Sequence, residues 1–297
     1  MSGQDQSVRP VEGVLWMLAS GLAFVGVNSI VRGLGTDIPA AQSAFIRFAF
    51  GVVFLAPVLP GLLRRGLPKG ALGLSLGRGA VHVAAVLFWF YAMARIPMAQ
   101  VTAIGYLNPV ILMLAGALLM GEPLGGRRLI AVALALAGTA IVLRPGAQAV
   151  TAGHLAQIGA ALCFAGSYLL AKRLSTLIPA HEVVALMSLT VTLGLLPLAL
   201  WVWVPIGGWH LAGLAVVALL ATLGHYFMTR AFGVAPMTVT QPVTFLNLVW
   251  ATLAGSLIFA EPVDLWVMLG GGLIIGAISW VTWVERAPVT AAAGRET

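Results

Sequence analysis

Of 297 residues, 60% are hydrophobic and 8% charged, against about 25% charged in soluble domains. So few charges cannot cover a water-facing surface, which excludes a soluble globular enzyme and makes lipid the solvent for most of the chain. The net charge of +7 lies between apolar runs and not along a basic face with interleaved aromatics, which argues against a nucleic-acid binder; Cys163, the lone cysteine, excludes an intrachain disulfide and a thiolate metal cluster.

A spanning helix needs about 20 apolar residues. The runs here are long and do not alternate, and helices satisfy their backbone in lipid. The reading is therefore all-α. The tail 1–12, "MSGQDQSVRPVE", is polar, and the apolar run behind it is too long for a signal-peptide core, so it reads as a retained helix. The first helix, 13–32, carries Trp16 near one end as an interfacial anchor and has no acid. The second, 40–60, holds Arg47 about 10 Å inside at 1.5 Å per residue. It reads as the single formal charge well inside a helix, with a structural or gating role ahead of attracting a carboxylate. The stretch "PGLLRRGLPKGALGLSLG" then reads as a linker.

The third helix, 78–95, puts His82, Val86, Trp89 and Met93 on one face. His82 is expected about one turn inside the end marked by Arg78. Substrate binding, proton carriage and a satisfied interfacial histidine all remain open for it. The fourth, 97–119, starts at Pro97, carries Thr102, Tyr106, Pro109 and Met113 on a face, and has Asn108 near its middle. The fifth spans 126–144, behind Glu122-Pro123. The sixth, 153–172, has Ser167 and Tyr168 deep inside; the seventh spans 181–204. The eighth, 211–231, has His225 and Tyr226. The ninth, 236–259, starts at Pro236 and holds Gln241, Asn247 and Trp250. The tenth, 263–284, follows Glu261-Pro262. Glu122 and Glu261 read as structural starts of the fifth and tenth helices, where a carboxylate faces the positive end of the dipole.

Basic residues orient the helices. With the N-terminus cytoplasmic, 12 of the 16 fall on the inner side, Arg32, Arg95 and Arg144 fall outside, and Arg47 lies within a helix. Both termini are then cytoplasmic, in a bacterial-type inner membrane. Each of the nine acids sits at a helix end or tail, so a midplane carboxylate relay is absent.

The chain repeats itself. Residues 91–143 against 230–282 give 14 identities in 53 positions, among them Pro97/Pro236, Met98/Met237, Asn108/Asn247, Glu122/Glu261 and Pro123/Pro262. At an offset of 140, Gly13/Gly153, Phe24/Phe164, Pro39/Pro179 and Pro57/Pro197 also match. The units are five helices each, 13–146 and 147–285, with a short tail at 286–297. Five is odd, so the second copy starts on the opposite face. Inverted repeats are a plan of secondary transporters, with the substrate site at the midplane. Gln241 and Trp250 break the symmetry, and such residues suit an asymmetric substrate; Arg47 stands opposite Met187, so the symmetry does not require it.

The doubled Pro-Met and Glu-Pro, "IRFAF" around Arg47 and "GGLIIGAI" in the tenth helix resemble the drug/metabolite transporter superfamily, in its ten-helix EamA-type branch. Within that branch the chain looks most like bacterial YddG-type exporters of aromatic amino acids. The resemblance implies a cavity lined by the third, fourth, eighth and ninth helices with the first and sixth. It implies export of small neutral metabolites, aromatic and bulky apolar amino acids first, with a broad drug or metabolite exporter as the alternative. The expected substrate-binding set is His82, Trp89, Thr102, Tyr106, Asn108, Tyr168, His225, Tyr226, Gln241, Asn247 and Trp250. Arg47, Pro97, Glu122, Pro236 and Glu261 are structural or gating. No cofactor, metal or catalytic residue is expected, and the working unit is a monomer in the bilayer.

Overall fold

A computed structural model describes residues 10–108, 110–111, 126–144, 149–174, 177–234, 243–244 and 246–286. Among these there is no strand. The helices are α1 (Pro10–Leu34), α2 (Ala40–Leu55), the short α3 (Leu59–Arg65), α4 (Ala71–Met93), α5 (Met98–Gly105), α6 (Gly126–Leu143), α7 (Ala152–Leu174), α8 (Ala180–Trp201), α9 (Gly208–Val234), α10 (Leu246–Phe259) and α11 (Leu265–Arg286). Six of them, α1, α2, α4, α7, α8 and α9, are long and apolar enough to cross a membrane, and three shorter apolar helices lie in α6, α10 and α11. The protein is a polytopic helical membrane protein.

Two expectations need correction. The linker-sized stretch after the second helix is itself partly helical. α2 passes into a 3-10 turn at Ala56–Val58, which holds Pro57, and the chain re-enters helix as α3 with Pro60 in its first turn. The third helix then starts at Ala71, not at 78. By sequence alone Arg78 marks an interfacial helix end. Arg78 is instead buried seven residues into α4, where its guanidinium donates to the Val183 carbonyl (3.2 Å). A carbonyl at the start of α8 supplies what water would have supplied. Arg47 is therefore not the only charge inside a helix, and His82 sits near the middle of its helix instead of one turn from an end.

In lipid, helices hold together by close packing and hydrogen bonds. The pairings include α1 with α9, α4 with α7, α6 with α11, α2 with α8, and α5 with α10. Exchange each helix for the one about 140 residues away and this scheme survives. The α1–α9 and α4–α7 pairs change places, and the other three pairs map onto themselves.

The α6–α11 crossing shows how tight the packing is. A Cβ on Gly138 would stand 2.6 Å from the Gly270 carbonyl oxygen, and one on Gly270 would stand 2.5 Å from the Gly138 carbonyl oxygen. Two turns away, Ala131 and Ala277 form a second small-residue contact. Adding 139 to 131 gives 270, and adding 139 to 138 gives 277, so the two contacts are images of each other.

Residues expected on one membrane face gather at one end of the bundle. Arg32 pairs with Glu261 (2.9 Å), Arg144 pairs with Asp264, and Gln42 exchanges hydrogen bonds with Val204 (2.8 and 2.9 Å). Trp201, Trp203, Trp209 and Trp266 are exposed beside these positions, as in an interfacial aromatic belt. Arg65 and Glu182 meet at the other end.

Candidate functional site

Midway along the bundle, rings from five helices converge. His82 (α4) is 1% exposed, and its Nδ1 lies 2.9 Å from the Ser167 hydroxyl of α7. Phe48 (α2) and Phe164 (α7) meet the His82 ring edge-on, with centroids at 5.7 and 5.3 Å. His225 (α9) lies 6.4 Å from His82, and Phe24 (α1) meets His225 at 5.1 Å. Tyr168, one turn past Phe164, runs nearly parallel to it at 6.1 Å. These helices come from both halves of the chain. The arrangement offers aromatic faces, two imidazoles and a hydroxyl to a small molecule, and edge-to-face geometry is the favoured packing for such rings.

Beside the cluster is a small cavity of about 10 Å³, room for about one water, lined by Arg47, Phe48, Gly51, Met187, Ser188, Thr222 and His225, among others. Sites that enclose a drug-sized ligand measure about 300–1,000 Å³, so entry of a ring requires the helices to part. A larger cavity, about 60 Å³, lies toward the Arg95 end between α1, α2 and α4, with Thr36, Ser43, Tyr91 and Arg95 in its lining. The central cavity is the better candidate because it lies midway along the bundle beside the ring cluster, where a charge, an imidazole and two hydroxyls meet.

The expected residues divide into groups. His82, Tyr168, His225 and Arg47 are brought together. Trp89 is half-buried two turns beyond His82, edge-on to Phe90 at 4.9 Å. Tyr106 is buried, and its hydroxyl donates to the Thr244 carbonyl (3.1 Å), tying the fourth helix to the ninth. Changing Tyr106 to Phe removes that donor; the expected cost is about 1 kcal/mol, read as a lower melting temperature. Thr102 donates to its own helix at the Met98 carbonyl (2.9 Å). The Asn108 side-chain oxygen is buried with no hydrogen-bond partner among the described residues. Asn247 inserts against α1, where a Cβ on Gly21 would stand 2.5 Å from its Oδ1. Tyr226 and Trp250 are exposed, at 39% and 38%. Tyr226 follows His225 by one position, about 100° around the helix, so the two cannot share the inner face. Glu122, Pro236 and Gln241 lie outside the described residues, as do Pro109, Pro123, Met113 and Met237.

Three further residues line the cavity: α2 supplies Phe48 as well as Arg47, and α8 supplies Met187 and Ser188. The "IRFAF" run is a usable signal for Phe48, because it places a ring next to Arg47 inside the helix.

Glu261 also differs from expectation. It does not start its own helix. Asp264 does, accepting from the Trp266 amide (2.9 Å) at the start of α11. Glu261 Oε2 instead accepts from the Met98 amide (3.1 Å), at the N-terminus of α5, and Oε1 faces Arg32. Arg32 also donates to the Met93 and Ile96 carbonyls (3.2 and 3.3 Å). A carboxylate suits a helix N-terminus because the first amides there lack intrahelical partners, and Pro97 at the N-cap leaves Met98 as the free donor. One side chain thus joins the end of α1, the start of α5 and the α10–α11 turn. In the repeat, Arg32 corresponds to Lys172 and Glu261 to Glu122.

Known proteins agree with this architecture. Residues 11–144 and 151–283 each match the EamA-like transporter family. A riboflavin transporter of Vibrio cholerae is 29% identical over 284 residues, covering 93% of this chain and 95% of that one. A pseudopaline exporter of Pseudomonas aeruginosa is 26% identical over 275 residues, covering 89% and 94%. A crystal structure with 20% sequence identity superposes with a TM-score of 0.62 over 93% of this chain and 98% of its own, which shows a shared fold. These relatives are named for riboflavin and pseudopaline, so they do not support the finer resemblance to YddG-type aromatic amino-acid exporters. The chain belongs to the EamA-like transporter family and is a membrane transporter.

Proposed function

We propose that the protein moves a small amphipathic metabolite carrying an aromatic or heteroaromatic ring, with riboflavin and the aromatic amino acids as the two cases to test. The observation behind this is the enclosed group of Phe24, Phe48, His82, Phe164 and His225. Its rings suit an apolar face, and its imidazoles and hydroxyls suit polar substituents. The working unit is a monomer of ten spanning helices, arranged as inverted repeats 13–146 and 147–285 with both termini cytoplasmic. The symmetric helix pairing and the double family match support that division. Transport proceeds by alternating access in the inner membrane, in the export direction, with the repeats rocking about the central cluster.

The test is uptake of labelled riboflavin, phenylalanine, tryptophan and threonine into proteoliposomes, with and without a pH gradient. Saturable movement of riboflavin or an aromatic amino acid, but not threonine, is expected. Equal movement of all four, or of none, refutes the reading. Changing His82 to Phe fills the same space without the polar ring nitrogens. That variant is expected to fold and to lose at least about tenfold in rate, the scale of losing a hydrogen bond to a polar group in a dry site. A full rate in His82→Phe shows that the imidazole does not handle substrate.

A further inference from the structure

Most other arginines along the spanning helices have an acceptor. Arg32 and Arg144 have carboxylates, Glu261 and Asp264. Arg78 uses the Val183 carbonyl and Arg95 the Tyr91 carbonyl. Arg47 differs. It lies seven residues inside α2, about 10 Å from the helix start at 1.5 Å per residue. Among the described residues no carboxylate and no carbonyl accepts from it. Its one specific contact is with Phe48, whose ring centroid is 3.9 Å from Cζ.

That contact places the cation over the face of the ring, an attraction that supplies no hydrogen-bond acceptor from a carbonyl or carboxylate. Hydrogen bonds leave a guanidinium in its own plane, and its donors remain for something else. A charge taken from water without hydrogen-bond partners is costly, so an arginine at this depth calls for an acceptor. The half-buried Arg47 lines the central cavity with Ser188, Thr222 and His225, and no acidic residue is among the lining.

The repeat adds an independent argument. Arg47 and Met187 are equivalent positions, and both line this one cavity, between the self-paired helices α2 and α8. One side of the near-symmetric cavity therefore carries a fixed charge and the other a soft thioether. A site so divided orients a ligand that has one polar end and one apolar end. Packing alone would need no charge here, since methionine serves at the equivalent position.

We infer that Arg47 is a substrate-anchoring residue, receiving on its free edge a planar pair of hydrogen-bond acceptors at the polar end of the cargo. A carboxylate has that geometry, and so does the carbonyl edge of a flavin-type ring. Arginine is suited to either because its donors form a rigid fork, which lysine lacks. The inference rests on the transport function proposed above and names the chemistry its substrate must carry.

The experiment measures binding to the purified full-length protein by quenching of tryptophan fluorescence, and uptake into proteoliposomes. The probes are riboflavin for the flavin edge, phenylalanine for the carboxylate, and 2-phenylethanol as a ring without an acceptor pair. Wild type is compared with Arg47→Met and Arg47→Lys, and the melting temperature of each unliganded variant reports its folding. Arg47→Met is expected to weaken whichever acceptor-bearing probe the wild type binds by at least about tenfold, the scale of a hydrogen bond to a charged group. Binding of 2-phenylethanol stays the same, and Arg47→Lys falls between wild type and Arg47→Met. Loss for riboflavin alone assigns the flavin edge, and loss for phenylalanine alone assigns the carboxylate. Equal loss for all three probes makes Arg47 a structural residue and overturns the inference. So does riboflavin or phenylalanine transport that Arg47→Met leaves intact, a result under which the proposed function still stands. Wild-type protein that neither binds nor moves riboflavin or phenylalanine refutes both together. Should Arg47→Met not fold, Arg47→Lys decides. Its selective loss of the acceptor-bearing probe supports the anchor, and its unchanged binding overturns it.

Discussion

Replacing Gly138 with leucine is expected to remove the folded protein from the membrane, and replacing Gly270 to do the same. At each position a new Cβ meets the partner helix's backbone carbonyl, at 2.6 and 2.5 Å. A flexible side chain can swing away from such a clash, but a carbonyl inside a helix cannot. The Cβ on Gly138 would also meet Ile274 at 2.7 Å, and the one on Gly270 would meet Val142 at 2.7 Å. Relief therefore requires α6 and α11 to separate along their whole contact. Overpacking costs about 1–3 kcal/mol and occasionally more, and the upper end applies because backbone meets backbone. Gly272 lies on the same helix with nothing within 4 Å of its Cβ position, so Gly272→Leu is the control. The measurement is the yield of monodisperse protein extracted in detergent, with its melting temperature. A normal yield of Gly138→Leu would show that the crossing is looser than described.

The second large effect is at Glu261. Glu261→Ala leaves the Met98 amide without its acceptor and Arg32 without its charge partner, where side-chain exposures are only 23% for Arg32 and 11% for Glu261. Breaking a partly buried pair from one side costs about 2–4 kcal/mol, since most of the loss is the charge left behind. The tie joins α1, α5 and the α10–α11 turn at one end of the bundle, an end that the proposed alternating access would open and close. The expected result is a lower melting temperature and uptake reduced at least about tenfold. Removing both charges, in Arg32→Met with Glu261→Gln, should cost less than the sum of the two single changes. That double-mutant cycle isolates the pair. Strict additivity would show that the two residues act independently.

Part of this was legible without coordinates. The positions of most helices follow from apolar length, and the repeat follows from letters such as Asn108/Asn247 and Pro97/Pro236. The side-by-side placement of His82, Val86 and Met93 follows from helical periodicity, and all three are buried together. Errors came where a rule about solvent was applied to a residue that had found a protein partner. Arg78 looked interfacial because arginine usually requires water, yet a carbonyl of α8 serves it. Glu261 looked like a cap for the following helix because the dipole rule is local. The first free amide of α5 is 163 residues away in sequence and closer in space.

The sequence by itself determined the solvent, the helical class and the duplication, because these depend on composition, run length and identity along one dimension. Which residues meet at the centre was decided only by the tertiary structure. Consecutive residues on a helix point about 100° apart, so His225 is buried and Tyr226 exposed although the sequence treats them alike. Arg47 and Met187 share a cavity because α2 and α8 pack against each other, a fact about two helices 140 residues apart that neither helix states alone.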